Sequence, residues 1–413
     1  MDPRFPNNRL SKPERVEFAL LTLAVFFSPF ETFRHPAFFF TVSDFFFCGA
    51  IAMRLYNGMP LLALGGVTYL WLSGFVLMNL GLLISSLING NPADALIVFV
   101  QYLFAYICLP YVICSRTYRQ AVFFIKCSLW AMLTLCVFGI VAYYLGLGEG
   151  AQVRHFVIVT GAGRLTSLVT NPNGFASIVA FTFPLLWFLS AIREVNFWLL
   201  SISTIIFAWA LVLASSNTGF MIVAGAAPIF VLGQGKIRTF AIASLLLGSL
   251  GLVTVLWGDE IFPEIFQRRV LHALMDADVT EAGTFTDRYD LIKEAWRMAE
   301  NNVLIGLGVD QYRLISEQGL PVHNTYLLLL NEGGIVALAG FLIILGSYIL
   351  VPLLSLKQPH GYLIFILTLS LVLAYAFVAN SLTHIYARFM MVPLMLAVGI
   401  ASSLNPQYRN APG

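Results

Sequence analysis

Charged residues are scarce in this chain of 413 residues, of which 59% are hydrophobic and only 11% are charged. Because a soluble globular domain carries about 25% charged residues, this composition excludes that class. The mean hydropathy of +0.83 and a series of long apolar runs instead indicate a polytopic membrane protein. The net charge is only +2 and no polybasic tail is present, so we expect no nucleic acid partner.

Cysteine is the second scarce residue type. The five cysteines lie in or beside apolar runs, without a CxxC pair and without histidines at the spacing of metal ligands. They are Cys48, Cys108, Cys114, Cys127 and Cys136. We interpret them as lipid-facing or packed small hydrophobic residues, and we expect no metal site. The polar part of the chain has no cysteine, so it has neither a disulfide framework nor a cysteine nucleophile.

The apolar runs are numerous enough for about twelve transmembrane helices, since a bilayer core needs roughly 20 residues per helix. They lie near 16–34, 37–53, 60–87, 92–114, 120–146, 172–192, 196–214, 218–232, 238–257, 324–353, 361–380 and 385–404. The first run follows several basic residues, but no small-residue cleavage site follows it, so we expect a retained span. The fold class is therefore an all-α polytopic membrane protein, with residues 1–413 forming a single integral membrane domain.

One polar stretch, residues 258–322, interrupts the apolar runs and holds 12 of the 21 acidic residues but only 6 of the 23 basic ones. Of the lysines and arginines, 13 fall in the set of alternate loops that includes the N-terminus, and short translocated loops are depleted in these residues. We therefore predict that both termini are cytoplasmic and that 258–322 is a large outer loop. In a bacterium this is the periplasmic side of the inner membrane, where no ATP or nucleotide-sugar is available.

The large loop contains the pattern of an amphipathic helix. Thr286 is a suitable N-cap, and the residues after it repeat at helical spacing up to Asn301-Asn302. The repeating positions are Arg288, Leu291, Ile292, Ala295, Trp296 and Ala299. The pattern predicts an interfacial helix of about 14 residues, with its apolar face against the membrane surface or the helix bundle.

His323 stands where the chain re-enters the membrane, at the start of a predicted span. The unpaired amides and the dipole of a helix start disfavour an imidazolium, so a neutral imidazole here can accept a proton from a hydroxyl nucleophile. This makes His323 a candidate general base. The alternative is that a histidine at the membrane interface snorkels to water or caps the helix.

Arginines on the outer side are candidate binding residues for phosphate groups, which guanidinium binds in a bidentate manner. Arg388 lies within a predicted span, on the same face as His384, and an arginine at that depth usually faces a cavity or a partner. The remaining outer arginines are Arg154, Arg164, Arg268, Arg269, Arg288, Arg297 and Arg313. Together they suit a lipid-linked phosphate or diphosphate, although each one alone is also compatible with a surface salt bridge to the nearby acids.

Two further motifs have a structural interpretation. Glu332 precedes Gly333-Gly334, which favours a kinked helix with a buried carboxylate or a hydrogen bond to a neighbouring helix. Asn171 followed by Pro172 is typical of an N-cap with proline in the first turn, and so predicts a helix start.

Several short motifs, in this order and spacing, resemble the superfamily of O-antigen ligases and Wzy-type polysaccharide polymerases. They are Gly163-Arg164-Leu165, Asn171-Pro172-Asn173, Thr286-Asp287-Arg288-Tyr289, Gly306-Leu307-Gly308, His323-Asn324-Thr325-Tyr326-Leu327 and Glu332-Gly333-Gly334. About twelve spans with one large periplasmic loop before the histidine are also similar to that family. The resemblance covers most of the chain and is strongest over 284–334.

The resemblance implies a GT-C-like membrane glycosyltransferase that needs neither a metal nor another cofactor. Its donor would be an oligosaccharide on undecaprenyl diphosphate, and its acceptor a hydroxyl of a glycan or of lipid A-core. By position, His323 would be the general base, and Arg288 and Arg164 would hold the donor diphosphate. Asn324, Tyr326 and His384 would support the site.

One residue departs from the family pattern, because many members carry an arginine where this chain has Asn217. If that arginine touches the donor, either Arg388 or Arg154 must replace it, or the donor is bound differently. We therefore favour a polymerase of O-antigen or exopolysaccharide repeat units over a ligase that transfers the glycan to lipid A-core. A polymerase would have membrane lipid around it and a chain-length regulator as a possible partner. A polysaccharide or lipid transporter or flippase is the alternative from another class.

Overall fold

The computed structural model of the chain describes residues 11–33, 40–59, 63–147, 157–235, 256–271, 285–382 and 387–404, with only the backbone for 285–288. The regular secondary structure of these residues is helical. They contain no β-strand beyond isolated bridges such as the one between Val159 and Leu165. The predicted all-α class is therefore confirmed for the described part of the chain.

Twelve helices of 12 or more residues occur in the described ranges. In chain order they are α1 (Lys12–Phe27), α2 (Val42–Tyr56), α3 (Thr68–Asn89), α4 (Pro92–Leu103), α5 (Tyr118–Tyr144), α6 (Pro172–Ala191), α7 (Phe197–Ala214), α8 (Asn217–Gly233), α9 (Phe285–Asn302), α10 (Thr325–Leu353), α11 (Gly361–Val378) and α12 (Arg388–Ser402). After α4 the helix continues through a π-turn, Phe104–Cys108, to Ile113. Short helical turns also occur at Glu264–Phe266, Gln267–Leu271 and Tyr312–Ile315.

Seven helical segments of the described chain are long and apolar enough to cross a membrane. They are Gly65–Asn89, Pro92–Ile113, Tyr118–Tyr144, Pro172–Ala191, Phe197–Ala214, Thr325–Leu353 and Gly361–Val378. Four other predicted spans contain shorter helices of 15 to 17 residues, namely α1, α2, α8 and α12. The predicted span near 238–257 falls almost wholly outside the described residues. The chain is thus a multi-pass membrane protein, and the count of twelve spans stays a prediction.

One end of the bundle gathers the starts of α6, α8, α10 and α12 and the ends of α1, α7 and α11; we call it the site end. The Thr32 amide donates to the Leu168 carbonyl over 3.1 Å, and the Leu165 amide donates to Leu213 over 2.9 Å. Phe389 in α12 lies against Gly174 in α6. The site end is therefore built from segments that are far apart in sequence.

The opposite end of the bundle contains a buried ion cluster that the sequence does not reveal. Glu17 of α1 accepts hydrogen bonds from Arg54 over 3.3 Å and from Arg116 over 2.6 Å, and all three side chains are almost fully buried. Burial lowers the pKa of Arg116 to about 10, so it keeps its charge at neutral pH. Arg54 and Arg116, which look like loop residues in the sequence, instead join α1, α2 and the start of α5.

Helix α10 is broken at Gly334, whose φ is +68° and ψ is −171°. The chain segment 303–308 fills the break: the amides of Leu307 and Gly308 donate to the carbonyls of Asn331 and Glu332 over 2.6 and 3.0 Å. The Glu332 carboxylate is buried and accepts a 3.0 Å hydrogen bond from the Asp310 amide. The kink with a buried carboxylate that Glu332-Gly333-Gly334 predicts is confirmed.

The predicted helix is α9, but it has 18 residues instead of about 14 and already includes Thr286, so the prediction of Thr286 as its N-cap is wrong. Leu291, Ala295 and Ala299 form a buried stripe at a spacing of four residues, and Asn331 of α10 donates to the Ala295 carbonyl over 2.9 Å. Trp296 is 56% exposed and lies outside this stripe. The contact of α9 with the bundle is therefore narrower than the predicted apolar face.

Candidate functional site

The best-defined cation of the site end is Arg164, whose side chain is buried. Its Nε donates to the Ala214 carbonyl at the end of α7 over 2.9 Å, and a terminal guanidinium nitrogen donates to Asn173 Oδ1 over 2.6 Å. Both of these acceptors are neutral. They fix the direction of the guanidinium.

Two helix starts converge beside Arg164. Asn171 caps α6 by accepting from the Asn173 amide over 2.7 Å, with Pro172 in the first turn, as the sequence predicts. Ser216 caps α8, and its hydroxyl also bonds to Asn173 Oδ1 over 3.1 Å. Because the start of a helix carries partial positive charge, α6 and α8 add to the field of Arg164. This arrangement suits an anion.

The turn before α8 places Asn217 next to this cluster. Ser215 has a φ of +46°, which turns the chain sharply from α7 into α8. The Asn217 side chain donates to the backbone carbonyl of Arg269 over 3.3 Å. Asn217 thus links the Arg164 region to the large loop, a contact that the sequence does not reveal.

His323 lies half-buried immediately before α10. Asn324 is the N-cap of this helix, because its Oδ1 accepts from the Leu327 amide over 3.1 Å. Thr325 fixes the start of α10 to the end of α11: its amide donates to Ala379 over 2.7 Å and its hydroxyl to Leu382 over 2.8 Å. His323, the residue before the N-cap, is therefore held in place by the contacts of the two residues that follow it. A general base needs such a fixed position.

The Tyr326 side chain packs inside the bundle. Its hydroxyl donates to the Ala376 carbonyl of α11 over 2.8 Å, and its ring lies 5.7 Å from that of Phe341. The contacts of Tyr326 join α10 to α11, so any support that it gives to the site acts through the placement of His323.

Arg388 opens α12 and forms an ion pair with Asp44 of α2, with 2.7 Å between Nε and Oδ1. Asp44 is fully buried and caps α2 by accepting from the Thr41 amide. The Arg388 guanidinium also lies over the Phe104 ring, 5.4 Å from its centre. Asp44 is one of the few acids within a predicted span, and that rarity is the signal that could have identified it as the partner of Arg388.

The structure thus brings Arg164 together with Asn173 and Ser216, and it places His323 and Arg388 at the same end of the bundle. Of Arg288 it describes only the backbone, in the first turn of α9. Arg154 and His384 lie outside the described residues. No group of three or more metal-ligating side chains occurs in the described ranges.

Comparison with known proteins agrees with this picture. Residues 202–342 match the family model described as O-Antigen ligase. The match includes the turn before α8, α9, His323 and the break in α10. No curated protein matches the chain. The chain therefore carries an O-antigen ligase family region, which confirms its resemblance to the superfamily of O-antigen ligases and Wzy-type polymerases.

Proposed function

We propose that the protein is a polymerase that joins lipid-linked repeat units of O-antigen or exopolysaccharide on the periplasmic side of the bacterial inner membrane. The observation that carries the proposal is the buried Arg164 guanidinium, which the Ala214 carbonyl and Asn173 Oδ1 orient between the starts of α6 and α8. A fixed cation at two helix starts is suited to the diphosphate of an undecaprenyl-linked donor.

In the proposed reaction, His323 removes the proton from an acceptor sugar hydroxyl, and the resulting oxygen nucleophile attacks the anomeric carbon of the donor glycan. The new glycosidic bond forms as the bond from that carbon to the diphosphate oxygen breaks. Undecaprenyl diphosphate leaves with the bonding electrons. Arg164 and Arg288 stabilise the negative charge that develops on it, which lowers the barrier. Because the donor is already activated, the residues need no nucleotide for this step.

The role of His323 is tested with purified protein and an undecaprenyl-diphosphate-linked oligosaccharide. We expect His323→Asn to lower the transfer rate by about 10²-fold or more, since general bases contribute about 10²–10⁴-fold. The control is His360→Asn, which makes the same replacement at an exposed histidine of the opposite end. Equal rates in the two variants would remove His323 as the base. Uptake of the glycan into vesicles without any bond formation would favour the transporter or flippase.

The second candidate is an O-antigen ligase, which the description of the matching family favours. A ligase would transfer the completed glycan to lipid A-core, whereas a polymerase extends a lipid-linked chain. The lipid-linked glycans of a deletion strain separate the two. We expect single repeat units to accumulate, as a lost polymerase would cause. Long lipid-linked polymer together with uncapped core would contradict the polymerase assignment and indicate the ligase.

A further inference from the structure

We infer that Arg269 is a second cation of the Arg164 site and binds the second phosphate group of the donor diphosphate. The inference rests on the proposed lipid-diphosphate donor. The sequence includes Arg269 among the outer arginines that are candidates for binding phosphate, but it does not distinguish Arg269 from its neighbour Arg268.

Hydrogen bonds on two consecutive residues, Ser216 and Asn217, connect the surroundings of the two arginines. Arg164 and Ser216 both bind Asn173 Oδ1, over 2.6 and 3.1 Å. The next residue, Asn217, donates from its side chain to the Arg269 carbonyl over 3.3 Å. The backbone of Arg269 is therefore placed one residue away from the cap that contacts the Arg164 acceptor.

Apolar contacts hold the segment around Arg269 in place. Phe266, Val270 and Leu271 are buried in one cluster with Val212 of α7. The Phe266 ring also lies 5.4 Å from that of Phe220 in α8. This segment of the loop is thus packed on the ends of α7 and α8, which is the preorganisation that a binding residue needs.

The two adjacent arginines differ in their environment. Arg268 is exposed, whereas Arg269 is half-buried and its Nε is buried. An exposed arginine contributes mainly a screened, long-range field, while a partly buried one interacts in a less screened environment. Only Arg269 has the placement of a binding residue.

The chemistry of the ligand explains why a second cation is needed. A diphosphate carries two phosphate groups, and one guanidinium bonds in bidentate fashion to one of them. At the Arg164 cluster itself, as distinct from Arg288 on α9, a single guanidinium would bind a lipid monophosphate almost as well as a diphosphate. With Arg269 as the second cation, the site prefers the diphosphate.

The test is equilibrium binding of farnesyl diphosphate and farnesyl monophosphate to the purified full-length chain. We expect the wild type to prefer the diphosphate, and Arg269→Gln to weaken diphosphate binding by about tenfold while changing monophosphate binding little, because one charge-assisted pair is lost. Arg268→Gln is the matched control and should retain the preference. Asn217→Ala removes the hydrogen bond to the Arg269 carbonyl and should reduce the preference without removing a charge.

The outcomes separate the inference from the proposed function. If the wild type binds neither lipid phosphate, the proposed donor is wrong and the inference falls with it. If the wild type prefers the diphosphate and Arg269→Gln retains that preference, the inference alone is overturned. If Arg268→Gln and Arg269→Gln weaken diphosphate binding equally, the loop attracts the lipid phosphate only through its general positive charge. That result would also overturn the inference. Thermal unfolding of each variant verifies that it is folded. If Arg269→Gln is not folded, Arg269→Lys replaces it in the same comparison.

Discussion

At the scale of single residues, Arg164 and Arg388 differ in the acceptors that orient each guanidinium. The Ala214 carbonyl and the Asn173 side-chain oxygen, which hold Arg164, are both neutral. Arg388 instead pairs with the fully buried carboxylate of Asp44. Asp44 therefore competes with any anion for Arg388, as a carboxylate at position 173 would compete for Arg164.

This difference predicts that adding a carboxylate beside Arg164 will impair donor binding. We expect Asn173→Asp to pair with the guanidinium and to raise the KM for the lipid-linked donor by about tenfold, because a charge-assisted pair competes with the diphosphate. Initial rates at varied donor concentrations measure the effect. Asn171→Asp makes the same change at the neighbouring N-cap, where aspartate is also a good cap, and should leave KM nearly unchanged. A lower KM in Asn173→Asp would contradict the binding role of Arg164.

The sequence is informative about these residues only where a local rule applies. Arg164, His323 and the Asn171 cap can be selected from residue type and position. The contacts of Asn173, Ser216 and Arg269 cannot be predicted in this way, because they join separate segments of the chain. Their assembly is a property of the folded bundle.

At the scale of elements, the break in α10 explains two of the glycine motifs. Gly306 has a φ of +85°, and a Cβ there would lie 2.7 Å from the backbone carbonyl carbon and oxygen of Glu332. Gly334, at the break itself, has a φ of +68° and is equally close to the carbonyl of Leu304. The turn and the broken helix approach each other so closely that only glycine fits at these positions.

Gly306→Ala should therefore disrupt the break in α10. We expect a clear fall in the thermal unfolding temperature, since both backbone strain of about 1–3 kcal/mol and a steric clash oppose the folded state. Gly319→Ala is the matched control, because Gly319 also has a positive φ, of +64°, but has open space around it. Equal falls in the two variants would mean that strain alone matters and that the close approach to Glu332 does not.

Helix boundaries were largely predictable from the sequence. The seven spans of the described chain agree with predicted runs within a few residues, because apolar length and caps such as Asn171 and Thr117 act locally. The pairing of segment 303–308 with residues 331–335 was not predictable. This pairing joins an irregular segment to a broken helix. The residue pattern of one segment contains no information about which residues of the other segment it contacts.

At the scale of the whole molecule, the two ends of the bundle differ in how they use charge. The site end has Arg164 bonded to Asn173 and the separate ion pair of Arg388 with Asp44, whereas the opposite end buries two arginines around the single carboxylate of Glu17. Such a buried cluster is costly to break, because loss of Glu17 would leave two guanidinium groups without their carboxylate. The cluster therefore connects the first two helices to the start of α5, at the end of the bundle that lies away from the Arg164 site.

The proposed orientation predicts which end of the molecule is accessible from the periplasm. Asn91, between α3 and α4, is exposed at the site end, and Lys357, after α10, is exposed at the opposite end. In a variant without the native cysteines, we expect Asn91→Cys to react with a membrane-impermeant maleimide in intact spheroplasts. Lys357→Cys should react only after the membrane is permeabilised. The reverse pattern would place the Arg164 site on the cytoplasmic side.

The hydrogen bonds between segment 303–308 and the break in α10 also have an evolutionary consequence. They fix which residue of the turn faces which residue of the helix, so an insertion within 303–308 or within 331–335 would shift this register, whereas the connection between the two segments can absorb one. Natural relatives should therefore keep both paired segments free of insertions while other parts of the chain vary in length. The two segments would then be paired anchor points for the alignment of distant members of the superfamily, even where little sequence identity remains.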